Sequence, residues 1–462
     1  MLTLADLLAV TGGEALSRGP ESFAGVSIDS RTIREGELFF AIKGERHDGH
    51  TFLPTVLQQA GGAVIARDFD RASLCHLFQH KSVVAVADPL VAMQLWARLI
   101  RLRFMYPVIA VVGSNGKTTT KEFTASVLSV LLSVYKSAGN LNNHIGLPLS
   151  LLRKPDTAQI VVVEMGTNRP GDVRELCEIA RPDIGIITNI GMEHLEGFGS
   201  LERVRDAELE LLPYIRTAIV NADDVFLMDG VKSVFRGKII SFGIDNPHAD
   251  IRGSSLMTTD SGISFILHIG ADAAEISLQL AGSFNVANAL AAAAAGASLG
   301  ISIQDIRRGL EAFSGVQMRF SVFLHEGITV LSDVYNANPS SVNAAVDELV
   351  RFSRRESDPL RRRMVAVLGD MLELGDREAA YHFDVGSRLK TEGVDLFIGV
   401  GTRMRHAVAA FGENAVSAGD ASDAVRILRP LLRKGDCMLI KGSRGMRMER
   451  VCEGLGIEAS KK

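Results

Sequence analysis

Residues 108–124 read VIAVVGSNGKTTTKEFT. An apolar run, Val108 to Val112, halts at Gly113-Ser114-Asn115-Gly116-Lys117-Thr118, and a polar, helix-compatible segment follows. Two glycines let a backbone turn tightly and approach phosphate oxygens, and amides at a helix N-terminus favour an anion. Lys117 would then reach the β- and γ-phosphates of a nucleotide, and Thr118 would offer its hydroxyl to Mg²⁺. The usual phosphate-loop pattern G-x-x-x-x-G-K-[ST] is not met, because Val111 stands at its first glycine. The alternative is an ordinary strand–turn–helix connection with a surface lysine. No N-K-x-D segment, which reads guanine in GTPases, occurs in the chain, so the expected nucleotide is ATP.

The neighbourhood of this loop sets the fold class. Ile160–Val163 and Ile184–Ile187 are short and almost wholly apolar, as parallel strands covered on both faces are. Helices expected at 118–133, 171–180 and 201–211 separate them, which is the βαβ rhythm of a doubly wound sheet. ISFILHI and ISLQLAG, within 250–281, predict a small antiparallel insert, and Ala289 to Ala297 an alanine-rich helix that can pack closely. Upstream, a helix at 3–10 and strands at 38–42, 63–66 and 83–86 suggest a smaller unit, closed by Tyr106-Pro107. Downstream, Val330, Met364–Val367, Leu396–Val400 and Met438–Ile440 mark strands of another open α/β sheet. The expectation is an α/β chain of three domains: 1–104, small; 105–316, a P-loop-type, mostly parallel sheet with helices on both faces; and 317–462, Rossmann-like. Arg361-Arg362-Arg363, with Arg351, Arg354 and Arg355 nearby, suggests either an anion site or a solvated helix end and loop; the second is expected.

Composition narrows the class of partner. Fifty Lys+Arg against 54 Asp+Glu give the 462 residues a net charge of −4, so nothing points to nucleic-acid or membrane-surface binding through bulk charge. Cys75, Cys177, Cys437 and Cys452 form no C-x-x-C pair, which fits a reducing compartment and disfavours a disulfide framework or a zinc site. MLTLADLLAVTGG has no Lys or Arg ahead of its apolar residues, so it predicts an amphipathic helix and not a signal peptide. No apolar run approaches bilayer length. A cytoplasmic α/β protein without membrane insertion is expected.

The shortened loop, G-x-x-G-K-T-T, resembles the ATP loop of the Mur ligases, the amide-forming ligases of peptidoglycan precursor synthesis. Other stretches match in order. Ser27-Ile28-Asp29-Ser30-Arg31, Leu38-Phe39-Phe40-Ala41-Ile42-Lys43-Gly44 and Asp48-Gly49-His50 resemble the family's UDP-sugar domain. Gly139-Asn140-Leu141-Asn142-Asn143, Asn189-Ile190-Gly191-Met192-Glu193-His194 and Gly282-Ser283-Phe284-Asn285-Val286-Ala287-Asn288-Ala289 resemble the central domain. Arg319 and Asp333-Val334-Tyr335-Asn336-Ala337-Asn338-Pro339 resemble the start of the third. Leu368-Gly369-Asp370-Met371-Leu372-Glu373-Leu374-Gly375 and Lys441-Gly442-Ser443-Arg444 are similar to the member that adds D-alanyl-D-alanine to the UDP-N-acetylmuramoyl-tripeptide. The sister that adds diaminopimelate usually carries D-N-P-R in its last domain, and this chain has none.

The resemblance implies a set of site residues. Gly113, Ser114, Asn115, Gly116, Lys117, Thr118 and Thr119 would hold ATP, with Asn285 and Asn288 near the adenine, Arg319 on the γ-phosphate and Asp333 on the ribose. A helix N-cap for Asn285 and an interdomain salt bridge for Arg319 and Asp333 are the structural alternatives. Glu164 ends a strand facing the glycine loop, where a carboxylate can hold Mg²⁺ between phosphates; a helix cap or surface acid is its alternative. His194 is implied as a ligand of a second Mg²⁺. Lys117, Glu164, His194 and Arg319 are the expected catalytic residues, and Thr118, Glu164, His194 and Glu208 the expected metal ligands. Ser30, Arg31, Lys43 and His50 would bind the UDP-sugar, and Asn140 and Asn143 the substrate peptide, unless they are turn residues. One departure stands out. Most family members carry a lysine, carbamylated by CO₂, where this chain has Glu208, and no lysine lies between Lys154 and Lys232. Glu208 is expected to serve the metal with its own carboxylate. The implied reaction forms an acyl phosphate from ATP, which the amine of D-alanyl-D-alanine then attacks. Closure about hinges near 104–107 and 314–320, and a monomer, are expected. The alternatives are a sister ligase taking another amino acid, such as diaminopimelate or lysine, and, more remotely, an ATP-hydrolysing switch or binding module.

Overall fold

The computed structural model describes residues 1–258, 262–354 and 362–457. Three larger sheets follow one another along the chain. The first has five strands, in the order Glu14–Ser17, Ser82–Val86, Gly62–Ala66, Glu37–Phe40, Gly25–Ser27, parallel except for the Glu14–Ser17 pairing. The expected first helix is Leu4–Thr11, started by the Thr3 side chain on the Asp6 amide and ended by Gly12 at φ +60°.

A helix absent from the sequence expectations, Pro89–Arg103, joins this unit to the next. The Asp88 carboxylate accepts from the Leu90 and Val91 amides, and Pro89 opens the first turn. Its Trp96 is fully buried in an apolar cluster that runs from Phe23 and Leu38 of the first unit to Val108 and Leu147 of the second. Arg101 fastens the far end: its guanidinium donates to the carbonyls of Phe104, Ala180 and Arg181 and pairs with Asp183 at 2.7 Å. Of residues 104–107, expected as a hinge, the two ends are tied to the central unit, Phe104 through Arg101 and Pro107 through its carbonyl, which accepts from the Val161 amide at 3.2 Å, while Met105 and Tyr106 are exposed.

The central sheet has nine strands, in the order Asp272–Leu278, Ile263–Ile269, Ile251–Thr258, Lys238–Gly243, Thr217–Asn221, Ile184–Ile187, Val108–Val112, Ile160–Glu164, Val134–Lys136. The pairings from Val134–Lys136 across to Ile251–Thr258 are parallel, and Ile263–Ile269 and Asp272–Leu278 add antiparallel as the expected insert. Val108–Val112 lies between Ile160–Glu164 and Ile184–Ile187, with Val111 level with Glu164 and with Ile186. Its side chains alternate between two apolar clusters, Ile109 and Val111 on one face, Val108, Ala110 and Val112 on the other, which explains the unbroken apolar run. On the first of these faces lie Lys117–Leu128, Ser283–Ser298 and Ile303–Glu311; the buried alanines of Ser283–Ser298 permit a close approach. The loop after Val112 therefore opens at the C-terminal edge of a parallel sheet, where strand order changes direction and ligands bind in such folds.

The third sheet has six strands, in the order Ser321–His325, Ile328–Asp333, Cys437–Lys441, Met364–Gly369, Leu396–Val400, Ala415–Ala418, and only its first pairing is antiparallel. The arginine-rich stretch does not build an anion site among the described residues. Arg351 pairs with Glu348, Arg363 with Asp436, and Arg362 donates to Thr329; Arg355 and Arg361 lie outside the described residues. No described helix is long and apolar enough to cross a membrane.

Candidate active site

Two glycines shape the loop. Gly113 sits at φ +113° and Gly116 at φ +82°. A Cβ on Gly113 would lie 2.3 Å from Thr188 Oγ1, and one on Gly116 2.3 Å from Asn288 Oδ1. The next strand end grips the loop from below. Ser114 N donates to Asn189 O at 2.8 Å, Asn115 N to Asn189 Oδ1 at 3.0 Å, and Thr188 Oγ1 to Asn115 O at 2.7 Å. The helix Lys117–Leu128 that follows has no side-chain cap, so its N-terminus is left for an anion.

Around this turn stand three buried carboxylates and one ammonium. Lys117 Nζ donates to Gly113 O at 2.5 Å and Ser114 O at 3.2 Å and lies 3.4 Å from Glu193 Oε2. Burial alone would lower its pKa, but Glu193, Glu208 and Glu164 together raise it above the ordinary lysine value. Glu164 Oε2 accepts from Thr118 Oγ1 at 2.7 Å and Oε1 from Asn142 Nδ2 at 2.8 Å. Glu208, fully buried, accepts from the Gly113 amide at 2.9 Å. Its pKa is pushed up to about 7, by burial first, while Lys117 pulls it down and Glu193 raises it further.

The third unit closes the other side. Arg319 Nη2 donates to Thr118 Oγ1 at 2.9 Å, and its guanidinium lies 3.8 Å from the Tyr335 ring centre. Asn115 Nδ2 donates to Ser340 Oγ, and Asn338 Nδ2 to Asn115 Oδ1, each at 3.0 Å. His194 Nδ1 pairs with Glu373. The result is a cavity of about 880 Å³ shared by the two units.

Most of the expected residues converge here. The loop from Ser114 to Thr119, Glu164, His194, Asn285, Asn288, Arg319, Asp333 and Asn143 all line the cavity. Glu208 lies just beneath it, on the Gly113 amide. The N-cap alternative for Asn285 does not hold: it lies inside Ser283–Ser298, donating to Ala281 O and accepting from Asn288. Asp333 is paired with Lys441, and Asn143 caps the Gly146–Leu152 helix through the Ile145 and Gly146 amides.

The expected UDP-sugar residues do not join them. Arg31 pairs with Asp29, and Ser30, Lys43, His50 and Asn140 are absent from the cavity wall. His50 is buried and uses both ring nitrogens, Nδ1 on Asp48 at 2.6 Å and Nε2 accepting from the Ala66 amide at 2.9 Å. Lys43 and His50 line a separate hollow of about 400 Å³ in the first unit.

The expected metal ligands do not form a ready cage either. No three His, Cys, Asp or Glu side chains converge on one point among the described residues. Yet Glu193 Oε1 and Glu208 Oε1 are buried without a hydrogen-bond partner. Mg²⁺ commonly takes one or two protein carboxylates and completes its shell with water and substrate phosphates. Hard oxygen donors spaced around an anion cradle, with open valences, fit an ion carried in with a nucleotide better than a resident one.

Several side chains in the site had no role assigned from sequence: Glu193, Asn142, Thr188, Asn189 and Glu373. Each belongs to, or adjoins, a stretch at the C-terminal end of a strand, which was the signal available.

Comparison with known proteins agrees with this layout. The Mur ligase middle domain matches residues 111–296, the Mur ligase glutamate ligase domain residues 318–444, and the Mur ligase family catalytic domain residues 22–89. The UDP-N-acetylmuramoyl-tripeptide--D-alanyl-D-alanine ligase of Bacillus subtilis (strain 168) is 33% identical over 441 residues, covering 93% of each chain. Among solved structures, MurF from Acinetobacter baumannii superposes with a TM-score of 0.88 at 30% identity over 98% of both chains. MurF from Thermotoga maritima, in complex with ADP, gives 0.80 at 27% identity over 93% of this chain and 96% of that one. The chain belongs to the Mur ligase family.

Proposed function

We propose that the chain is the ATP-dependent ligase that joins D-alanyl-D-alanine to the UDP-N-acetylmuramoyl-tripeptide in peptidoglycan precursor synthesis. It would act as a cytoplasmic monomer whose three units are the first, central and third domains at 1–104, 105–316 and 317–462. The observation that carries this is the meeting of Arg319 with Thr118 over the glycine loop, in one cavity built by two units. The end-to-end likeness to ligases of that name supplies the substrate class.

A free carboxylate forms no amide directly, because hydroxide is a poor leaving group. The loop amides bind the nucleotide's phosphates, and Lys117 exchanges its carbonyl partners for phosphate oxygens. Lys117 and Arg319 then neutralise charge on the γ-phosphate from two sides while the tripeptide's terminal carboxylate attacks phosphorus. The bond to the β-phosphate oxygen breaks, ADP leaves, and an acyl phosphate remains. The dipeptide amine attacks the acyl carbon, loses its proton, and inorganic phosphate departs. No enzyme nucleophile is needed. Thr118, Glu164, Glu193, Glu208 and His194 would hold up to two Mg²⁺ ions, whose charge offsets that of the phosphates. Asn285 and Asn288 would flank the adenine and Asp333 the ribose. Asn140 and Asn143 would touch the tripeptide, and Ser30, Arg31, Lys43 and His50 would serve the UDP-sugar in the first unit. Closing the third unit over the site would keep water from the acyl phosphate.

Phosphate release measured with each substrate omitted in turn tests the proposal. Release should require ATP, the UDP-tripeptide and D-alanyl-D-alanine together. Release that ignores both acceptors would leave an ATP-hydrolysing switch, and release driven by diaminopimelate or lysine on a shorter precursor would leave a sister ligase.

A further inference from the structure

One fully buried ammonium has no part in the mechanism above. Lys121, one turn beyond Lys117 on the loop helix, is 0% exposed. Its Nζ donates to Ser137 O at 2.7 Å and Gly139 O at 3.1 Å and lies 3.2 Å from Glu122 Oε1. Two carbonyls thus accept from the ammonium, and the Glu122 carboxylate lies close enough to balance its charge. A buried charge is expensive to keep unless it is paired and hydrogen-bonded, and an apolar residue of similar volume would fill a helix core position as well.

The two carbonyls it holds begin the segment that lines the cavity beside Glu164. Asn142, Asn143 and His144 line that cavity. The segment is fixed downstream: Asn142 Nδ2 donates to Glu164 Oε1, the Gly166 amide to Asn142 O at 2.8 Å, and Gln94 Nε2 to His144 O at 2.9 Å. At its start, Ser137 Oγ accepts from the Glu164 amide at 3.3 Å. Lys121 is therefore the buried, direct tie between the helix that presents the nucleotide loop and the carbonyls that begin the segment presenting the asparagines, beside the more exposed ion pair of Glu122 with Lys136. The loop itself is braced elsewhere, by Thr188 and Asn189.

We propose that Lys121 is a positioning residue for the acceptor side of the reaction: it clamps residues 137–139 to the loop helix and so sets where Asn142 and Asn143 stand against the carboxyl of the UDP-tripeptide. The inference rests on the ligase function proposed above.

Steady-state kinetics of Lys121→Met, varying each substrate in turn, provide the test. KM for the UDP-tripeptide should rise about tenfold and kcat should fall, because a small misplacement of reacting groups is enough to slow them strongly. KM for ATP and for D-alanyl-D-alanine should stay within about twofold, because the loop keeps its own supports. Lys121→Gln, which keeps N–H donors without the charge, should show the same split with smaller amplitude, and it decides the matter if Lys121→Met does not fold. Gln94→Ala, which frees His144 O at the other end of the segment without touching Glu164, should reproduce the split and decides it if neither Lys121 variant folds. An unchanged KM for the UDP-tripeptide in the folded variant, or an equal rise in all three KM values, overturns the role of Lys121. A wild-type enzyme that releases no phosphate with all three substrates present overturns the ligase function instead.

Discussion

At the residue scale the most informative position is Glu208. It is buried, it accepts the amide of the first loop glycine, and one of its oxygens has no partner. Burial pushes its pKa up to about 7, so a neighbouring cation is what would hold it ionised at neutral pH. In the family this chain resembles, the matching position is usually a lysine that needs CO₂ to become a ligand. Here the carboxylate is built in. Turnover should therefore be indifferent to bicarbonate and to CO₂-free buffer. Glu208→Ala should lower Mg²⁺-dependent kcat by roughly 10²-fold, the scale of removing one electrostatic contact in a dry site. Glu208→Lys should regain activity only with added bicarbonate. A Glu208→Ala enzyme with wild-type turnover across a Mg²⁺ titration would remove Glu208 from the site.

At the scale of elements, the loop and its brace act as one piece. Gly113 and Gly116 both hold positive φ, but what a side chain would meet differs. At Gly113 the obstacles include the Thr188 amide at 2.8 Å, which is backbone; at Gly116 all three are atoms of the Asn288 side chain, which yields more readily than backbone though at the cost of its bonds to Thr120 and Asn285. Gly113→Ala should thus lose more affinity for a fluorescent ATP analogue than Gly116→Ala, and equal losses would refute the difference. A second element, the helix Glu378–Thr391, carries buried His382, whose Nδ1 faces Glu378 O and whose Nε2 accepts from the Met371 amide at 3.1 Å. Burial holds its pKa below the ordinary histidine value, against the Glu378 carbonyl, which raises it. The neutral ring is favoured in the folded state, so its stabilisation is present above about pH 6.5 and is lost as pH falls through the lower folded pKa. His382→Gln should flatten the acid side of the melting-temperature profile, and an unchanged slope would show that other groups set it. The strand–loop–helix core and the antiparallel insert were legible because each is a local pattern. The helix expected to run to residue 133 stops at Leu128, and Val134–Lys136 becomes an edge strand; the leucine-rich run between them suits either state. The helix Pro89–Arg103 was announced by Asp88-Pro89 and buries one face at helical spacing, Ala92, Met93, Trp96 and Ala97, but the exposed Val91, Leu95 and Leu102 on its other side blurred that periodicity. The pairings that complete the site, Thr118 with Arg319 and Asn115 with Ser340, span more than two hundred residues, and no local pattern encodes them.

At the scale of the whole molecule, the site depends on how the central and third units are held together. The Ser283–Ser298 helix, which carries both Asn285 and Asn288, has no side-chain cap of its own. Its cap comes from the other unit. Glu348, buried on the helix Pro339–Ser353, accepts from both the amide and the hydroxyl of Ser283 at 3.0 Å. A carboxylate at a helix N-terminus is favoured by the aligned peptide dipoles, and loss of a cap typically costs about 1 kcal/mol. The same contact fixes the third unit relative to the proposed adenine residues, so one substitution should be felt twice. Glu348→Ala should lower the thermal midpoint, and it should raise KM for ATP more than KM for the UDP-tripeptide, whose proposed contacts belong to other segments. Saturating ATP should recover part of the lost stability, because a ligand that bridges both units replaces the missing tie by mass action. A variant whose midpoint drops while every KM stays at the wild-type value would show that Glu348 stabilises the fold without aligning the site.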